Sequence, residues 1–92
     1  MNLYLICYDI EDDHERRQVA NYLVARGERV QYSVFEVYIR DGNELARIQS
    51  EIAALCGEEA NVRFYLLTQD GIRRSSMLNG DKLPTKPAVL II

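Results

Sequence analysis

Residues 29–36, Arg29-Val30-Gln31-Tyr32-Ser33-Val34-Phe35-Glu36, decide how this chain folds. With Val37-Tyr38-Ile39 they form a β-rich run that no Gly or Pro interrupts. Valine, isoleucine and aromatic side chains suit a pleated, half-buried surface. Taken by themselves, the residues read as one long strand over 29–39. A helical pattern lies on each side of that run, so it fixes the order of the other elements.

Before it, residues 2–9, Asn-Leu-Tyr-Leu-Ile-Cys-Tyr-Asp, read as a strand that is apolar on both parities. A central strand buried on two faces has that pattern. Asp12 is the expected N-cap of a helix, with Glu15 three residues later. The helix runs to about Arg26, with Val19, Tyr22 and Leu23 on one face and Ala20 and Val24 beside it. Gly27 is its expected C′ residue.

After the central run, Asp41-Gly42-Asn43 is a turn, with Asn43 as the expected cap. Leu45, Ile48, Ile52 and Leu55 then fall on one helical stripe, and Gly57 ends the helix. Val62 to Thr68 is another strand. Residues 69–87 are polar and turn-rich, with Asp70-Gly71, Asn79-Gly80, Pro84 and Pro87. A connection that long in a compact domain is functional or partly structured. Ala88 to Ile92 reads as a closing apolar strand. No repeat or internal boundary interrupts the chain, so residues 1–92 read as a single domain.

The order is β-α-β(-β)-α-β with an additional C-terminal strand. Two helices on one face of a mostly antiparallel sheet give an α+β, ferredoxin-like plan. No third helix remains to cover the other sheet face. A homodimer packed face to face through it would remove that exposed apolar surface from water.

Composition sets limits. Ninety-two residues, 48% hydrophobic, exclude a disordered chain. A domain this small buries about two-thirds of its unfolded surface, so its stability is modest. Net charge is −3, which argues against a generic nucleic-acid binder. The charge is segregated, however. Residues 9–15 carry Asp9, Glu11, Asp12, Asp13 and Glu15 without a Lys or Arg, whereas Arg16, Arg17, Arg26, Arg29 and Arg40 follow. Cys7 and Cys56 match no metal-ligand spacing and read as buried thiols of a reducing cytoplasm. Met1-Asn2 leads into a strand without a basic leader, and no apolar run reaches membrane-spanning length. A cytoplasmic protein without membrane contact is the expectation.

Asp9 is the first candidate for chemistry. It closes a buried strand ahead of a helix. Such a carboxylate serves either a turn or a Mg²⁺ ion, which takes one or two carboxylates and keeps several waters. A two-fold axis beside the strand end would bring two copies together. The cluster Glu11-Asp12-Asp13-His14-Glu15 is better explained by the positive end of a helix dipole. His14, the only histidine, reads as an exposed helix residue. Arg16 and Arg17 are either a solvated helix face or phosphate contacts, for which the guanidinium fork is suited. Arg73 and Arg74 form a weaker basic pair.

Tyr8-Asp9-Ile10, the following helix with Arg16-Arg17, and the 29–36 run beginning twenty residues after Asp9 together resemble the small CRISPR-associated adaptation protein, the "Cas two" family. The match covers residues 1–67, and the closing apolar run loosely; residues 69–86 follow no pattern of that family. The resemblance implies two strands within 29–39, with a change of direction near Ser33. It implies a catalytic, metal-binding Asp9 with Mg²⁺ shared across a dimer axis, and Arg16, Arg17 and Arg29 on nucleic acid. Tyr8, Ser33 and Phe35 would support that site. The implied partners are a second copy of the chain, CRISPR integrase dimers in a heterohexameric adaptation complex, and duplex DNA or single-stranded RNA.

Three readings are open at this point. One is a DNA-binding scaffold of spacer acquisition. Another is a Mg²⁺-dependent endonuclease, and the two can coexist. The third is a ferredoxin-like regulatory dimer for a small molecule, for which no Gly-rich phosphate loop is present.

Overall fold

The computed structural model describes residues 1–84. The strand expected over 88–92 lies outside the described residues. The elements are β1 (Asn2–Asp9), α1 (Asp13–Val24), β2 (Glu28–Gln31), β3 (Val34–Ile39), α2 (Gly42–Cys56), β4 (Asn61–Leu67) and α3 (Gln69–Arg73). The sheet order is β2-β3-β1-β4. All three pairings are antiparallel, and β1 is central as its two-sided apolar pattern requires. This is the ferredoxin-like plan.

The sheet alternation sets up the core. Ile6, Tyr8, Phe35, Val37 and Ile39 cluster with Val19 and Leu23 of α1 and with Ile48 and Ile52 of α2. Phe35, Ile6, Leu23 and Val19 are completely buried. The helices are also tied to each other. The Tyr22 hydroxyl donates to the Glu51 carboxylate, and the Arg26 guanidinium lies 3.6 Å over the Tyr22 ring. Burial, and then the Glu51 bond, push the Tyr22 phenol up to about 12.

The 29–39 run is broken. Strand β2 stops at Gln31 and β3 begins at Val34, with Tyr32 and Ser33 forming the turn. No Gly or Pro is needed, because Arg29 Nε and Nη2 donate to the Tyr32 carbonyl at 3.2 and 2.8 Å. A bidentate guanidinium holds a turn that its sequence does not advertise. The register irregularity between Arg29 and Gln31 adds the local bend of a bulge.

Three local expectations are corrected. Gly27 is not the left-handed C′ residue of α1; Ala25 is the C-cap. Gly27 lets the chain cross close over β3, where a Cβ would stand 2.3 Å from the Glu36 carbonyl oxygen. The cap of α2 is Asp41 rather than Asn43, accepting from the Glu44 amide at 2.9 Å. Residues 69–73 form a short third helix, capped by the Thr68 hydroxyl on the Gly71 amide. Ile72 of α3 lines a depression with Leu3, Tyr38 and Leu67, so α3 borders one end of the second sheet face. The expected ends hold elsewhere: Asp12 accepts from the His14 and Glu15 amides, and Gly57 caps α2 at φ 88°.

Candidate functional site

One end of the sheet gathers most of the candidate residues. Strand β1 finishes there at Asp9, the β2–β3 turn lies beside it, and β4 starts there with Asn61 opposite Asp9. The Tyr8 amide donates to the Ser33 carbonyl at 3.1 Å and ties the turn to the strand end. Helix α1 begins four residues beyond Asp9.

Asp9 is exposed, in a shallow depression with Cys7, Asn61, Arg63 and Tyr65. The other aspartates are engaged. Asp12 and Asp41 cap helices, Asp13 pairs with Arg16, Asp70 pairs with Arg73 and Arg74, and Asp81 bonds Asn79. Among the described residues, Asp9 alone of the aspartates has no hydrogen bond or ion pair. The turn role that its position allowed is filled by Asp12. Its neighbour Arg63 is engaged, bonding Asn61 at 3.3 Å and the Tyr65 hydroxyl at 3.1 Å.

A metal test follows from the donor set. Among the described residues, no three His, Cys, Asp or Glu side chains converge on one point. One chain therefore offers a single hard carboxylate. That fits Mg²⁺ only as half of a site completed by a second copy, since Mg²⁺ accepts one or two carboxylates with waters filling the rest.

The basic residues converge on the helix side of the same end. Tyr8, Asp13, Arg16, Arg17, Asn21, Arg29 and Tyr32 line one pocket between α1 and the β2–β3 turn. They are not equivalent. Arg16 Nη1 donates to the carbonyls of Ile10 at 2.8 Å and Glu11 at 3.1 Å, while Nη2 pairs with Asp13. Asp13 and the adjacent Tyr32 hydroxyl hold its pKa above the ordinary value. Arg16 is thus half structural. Arg29 is anchored on the Tyr32 carbonyl and stacks 5.2 Å from the Phe35 ring centroid. Arg17 is exposed and, among the described residues, without a partner. The Tyr8 ring stacks on Phe35 at 6.3 Å within the core. Its hydroxyl is buried without a partner in hydrogen-bond geometry, although the Arg29 guanidinium lies beside it. Burial raises the Tyr8 pKa, and Arg29 tempers the rise.

The supporting residues divide the same way. Phe35 is core, and Ser33 acts through its backbone carbonyl. His14 is exposed. Arg73 and Arg74 are held by Asp70. Sequence reasoning did not single out Tyr32 or Asn21. An aromatic residue three positions after an arginine, in a run with no other turn signal, was the available clue for Tyr32.

Residues 1–75 match the family model described as CRISPR associated protein Cas2. The chain belongs to the Cas2 family. A Synechocystis sp. protein named CRISPR-associated endoribonuclease Cas2 3 is 36% identical over 94 residues, spanning 100% of both chains. A chain in a solved structure described as a partial Cas6-RT-Cas1–Cas2 complex superposes with a TM-score of 0.84 at 34% identity, covering 94% of this chain and 100% of that one. Cas2 of Streptococcus pyogenes, solved at pH 6.5, gives a TM-score of 0.69 at 32% identity, with coverages of 83% and 98%. The Cas2 likeness accounts for the ferredoxin-like sheet and for the division of the 29–39 run. No helix among the described residues is long and apolar enough to cross a membrane.

Proposed function

We propose that this Cas2 family member is a homodimeric scaffold of CRISPR adaptation, bridging integrase dimers and holding duplex DNA as new spacers are captured. The observation that carries this reading is the near-complete likeness to a chain of a complex that contains Cas1 and Cas2. The pocket residues support its nucleic-acid part. Arg17 is a free guanidinium, and Arg16 and Arg29 add positive charge at one sheet end of an otherwise acidic chain. The dimer would use the second sheet face, where Leu5 and Cys7 are half-buried and Tyr65 is 45% exposed.

A second activity is favoured by the uncommitted Asp9. Two copies across a dimer axis would hold one Mg²⁺ for endonucleolytic cleavage of RNA or DNA. When bound, the ion lowers the pKa of a water and stabilises charge on a phosphoryl oxygen. The chain's own contribution is to keep Asp9 exposed and free of competing cations, with the turn fixed beside it through Ser33.

The purified chain should be mixed with a Cas1 integrase and sized with and without duplex DNA. The expected results are a homodimer alone, a larger complex with the integrase, and duplex binding that weakens steeply with salt. Replacing Arg16 and Arg17 by Ala should weaken binding and flatten its salt slope. A stable 10.6 kDa monomer that ignores the integrase would overturn the scaffold.

A further inference from the structure

Tyr32 stands at the mouth of the pocket between α1 and the β2–β3 turn and is 72% exposed. The turn that carries this exposed ring is held in place. The Tyr32 carbonyl takes two bonds from Arg29, whose guanidinium also lies 5.5 Å from the ring centroid. Its hydroxyl lies against Arg16. The backbone that carries the ring is therefore fixed, and the Arg29 guanidinium lies against the ring face.

The pocket below it has unused hydrogen-bonding capacity. Tyr8 lines the pocket and is only 7% exposed, with its buried hydroxyl beside the Arg29 guanidinium. Arg17 supplies a free guanidinium at the rim. Asn21 stands one helical turn beyond Arg17 on the same face of α1. The Arg17 and Arg29 guanidiniums, both lining the pocket, are donors suited to one phosphoryl group. Tyr32 adds an exposed aromatic surface beside them.

We propose that this pocket seats a single unpaired nucleotide of a nucleic-acid strand, with its phosphate on Arg17 and Arg29 and its base stacked on Tyr32. It deepens the nucleic-acid reading above and rests on it. Stacking selects an unpaired base because bases inside a duplex already have both faces covered. Base–aromatic stacking tolerates any sequence, since every base has a π-face.

The test compares three ligands on the full chain: a duplex carrying a single-stranded thymidylate tail, the same duplex blunt, and thymidine 5′-monophosphate. A 2-aminopurine in the tail reports stacking by its quenching. Wild type and Tyr32→Phe should quench it and prefer the tailed duplex. Tyr32→Ala should abolish quenching and lower tail affinity about tenfold, well beyond any loss for the blunt duplex. Arg17→Ala should weaken both duplexes. If Tyr32→Ala keeps the quenching, or weakens both duplexes equally, the unpaired-nucleotide pocket is overturned while the phosphate patch survives. Monophosphate binding as tight as the tailed strand would also overturn it, in favour of a free nucleotide. If wild type binds neither duplex, the nucleic-acid reading itself falls.

Discussion

Arg16 Nη1 donates to the Ile10 carbonyl at 2.8 Å and so fastens the first turn of α1 to the end of β1. The same guanidinium reaches the Glu11 carbonyl and the Asp13 carboxylate. Arg17, next to it, has no partner among the described residues. Two adjacent arginines thus differ: Arg16 is bonded into the fold and Arg17 is uncommitted. Arg16→Ala should lower the melting temperature by several degrees, and Arg17→Ala should leave it nearly unchanged, by calorimetry on both variants. Nucleic-acid binding should respond to both. Equal melting temperatures for the two would show that the Arg16 bonds contribute nothing net.

The tight passage of Gly27 over β3 predicts a second outcome. A methyl group at Gly27 would stand 2.3 Å from the Glu36 carbonyl oxygen and 2.7 Å from Val37 Cγ2. Neither neighbour is the end of a flexible side chain. Gly27→Ala should therefore force the β2 approach away from β3, destabilising by about 2–3 kcal/mol in urea unfolding. The shift would also move the Arg29–Tyr32 turn, so nucleic-acid affinity should fall in parallel.

The helices and the central strand were legible because their signals are local and periodic. Ile48 and Ile52, or Val19 and Leu23, need only the 3.6-residue spacing to declare a buried face. The break at Tyr32-Ser33 was not legible from the residues, since a guanidinium at Arg29 holds the turn where Gly or Pro would otherwise be expected. Only the family resemblance implied it. Helix α3 was read as loop because Gly71 and Asp70-Gly71 turn chemistry masked the Thr68 cap. The site divides similarly. Asp9 was identifiable as a candidate, but its freedom from local bonds depends on where every other carboxylate lands. The capping role of Asp12 was legible in its spacing from Glu15, whereas the uncommitted state of Asp9 was not. Gly27 was visible as a helix-end glycine, whereas the reason for it is a contact with residues nine and ten positions later.

Glu36 predicts a pH effect. Burial, and then Glu28 paired across from it in register, raise its pKa above the ordinary value near 4.5. A raised carboxyl pKa means that the folded chain holds its proton more tightly than the unfolded chain does. This group therefore favours the fold at acid pH, and that contribution is lost as pH rises through the folded value. Asp41 acts in the opposite sense. The Glu44 amide lowers its pKa, so its contribution is lost as pH falls. Glu36→Gln should stabilise the chain at neutral pH and do little at about pH 4. Urea midpoints for wild type and variant at the two pH values check this. A gain of equal size at both would mean that packing, rather than charge, is responsible.

The two aspartates at the start of α1 should separate stability from chemistry. Asp12 accepts from two helix amides, so Asp12→Ala should destabilise by about 1 kcal/mol while leaving any cleavage intact in the folded fraction. Asp9 is exposed and has no bonds to lose, so Asp9→Asn should melt at or slightly above the wild-type temperature. Two like charges brought together by a dimer axis repel each other, and the amide removes that repulsion. If Asp9 carries the proposed half-site, the same substitution should abolish divalent-dependent cleavage of single-stranded RNA and duplex DNA, because a neutral amide cannot attract the ion. If the protein is a scaffold, assembly with the integrase should persist in Asp9→Asn. The decisive comparison is wild type against Asp9→Asn, each with Mg²⁺ and with chelator. Cleavage that is equal in both proteins and resists chelation would remove the metal assignment from Asp9 and leave the scaffold as the function of this strand end.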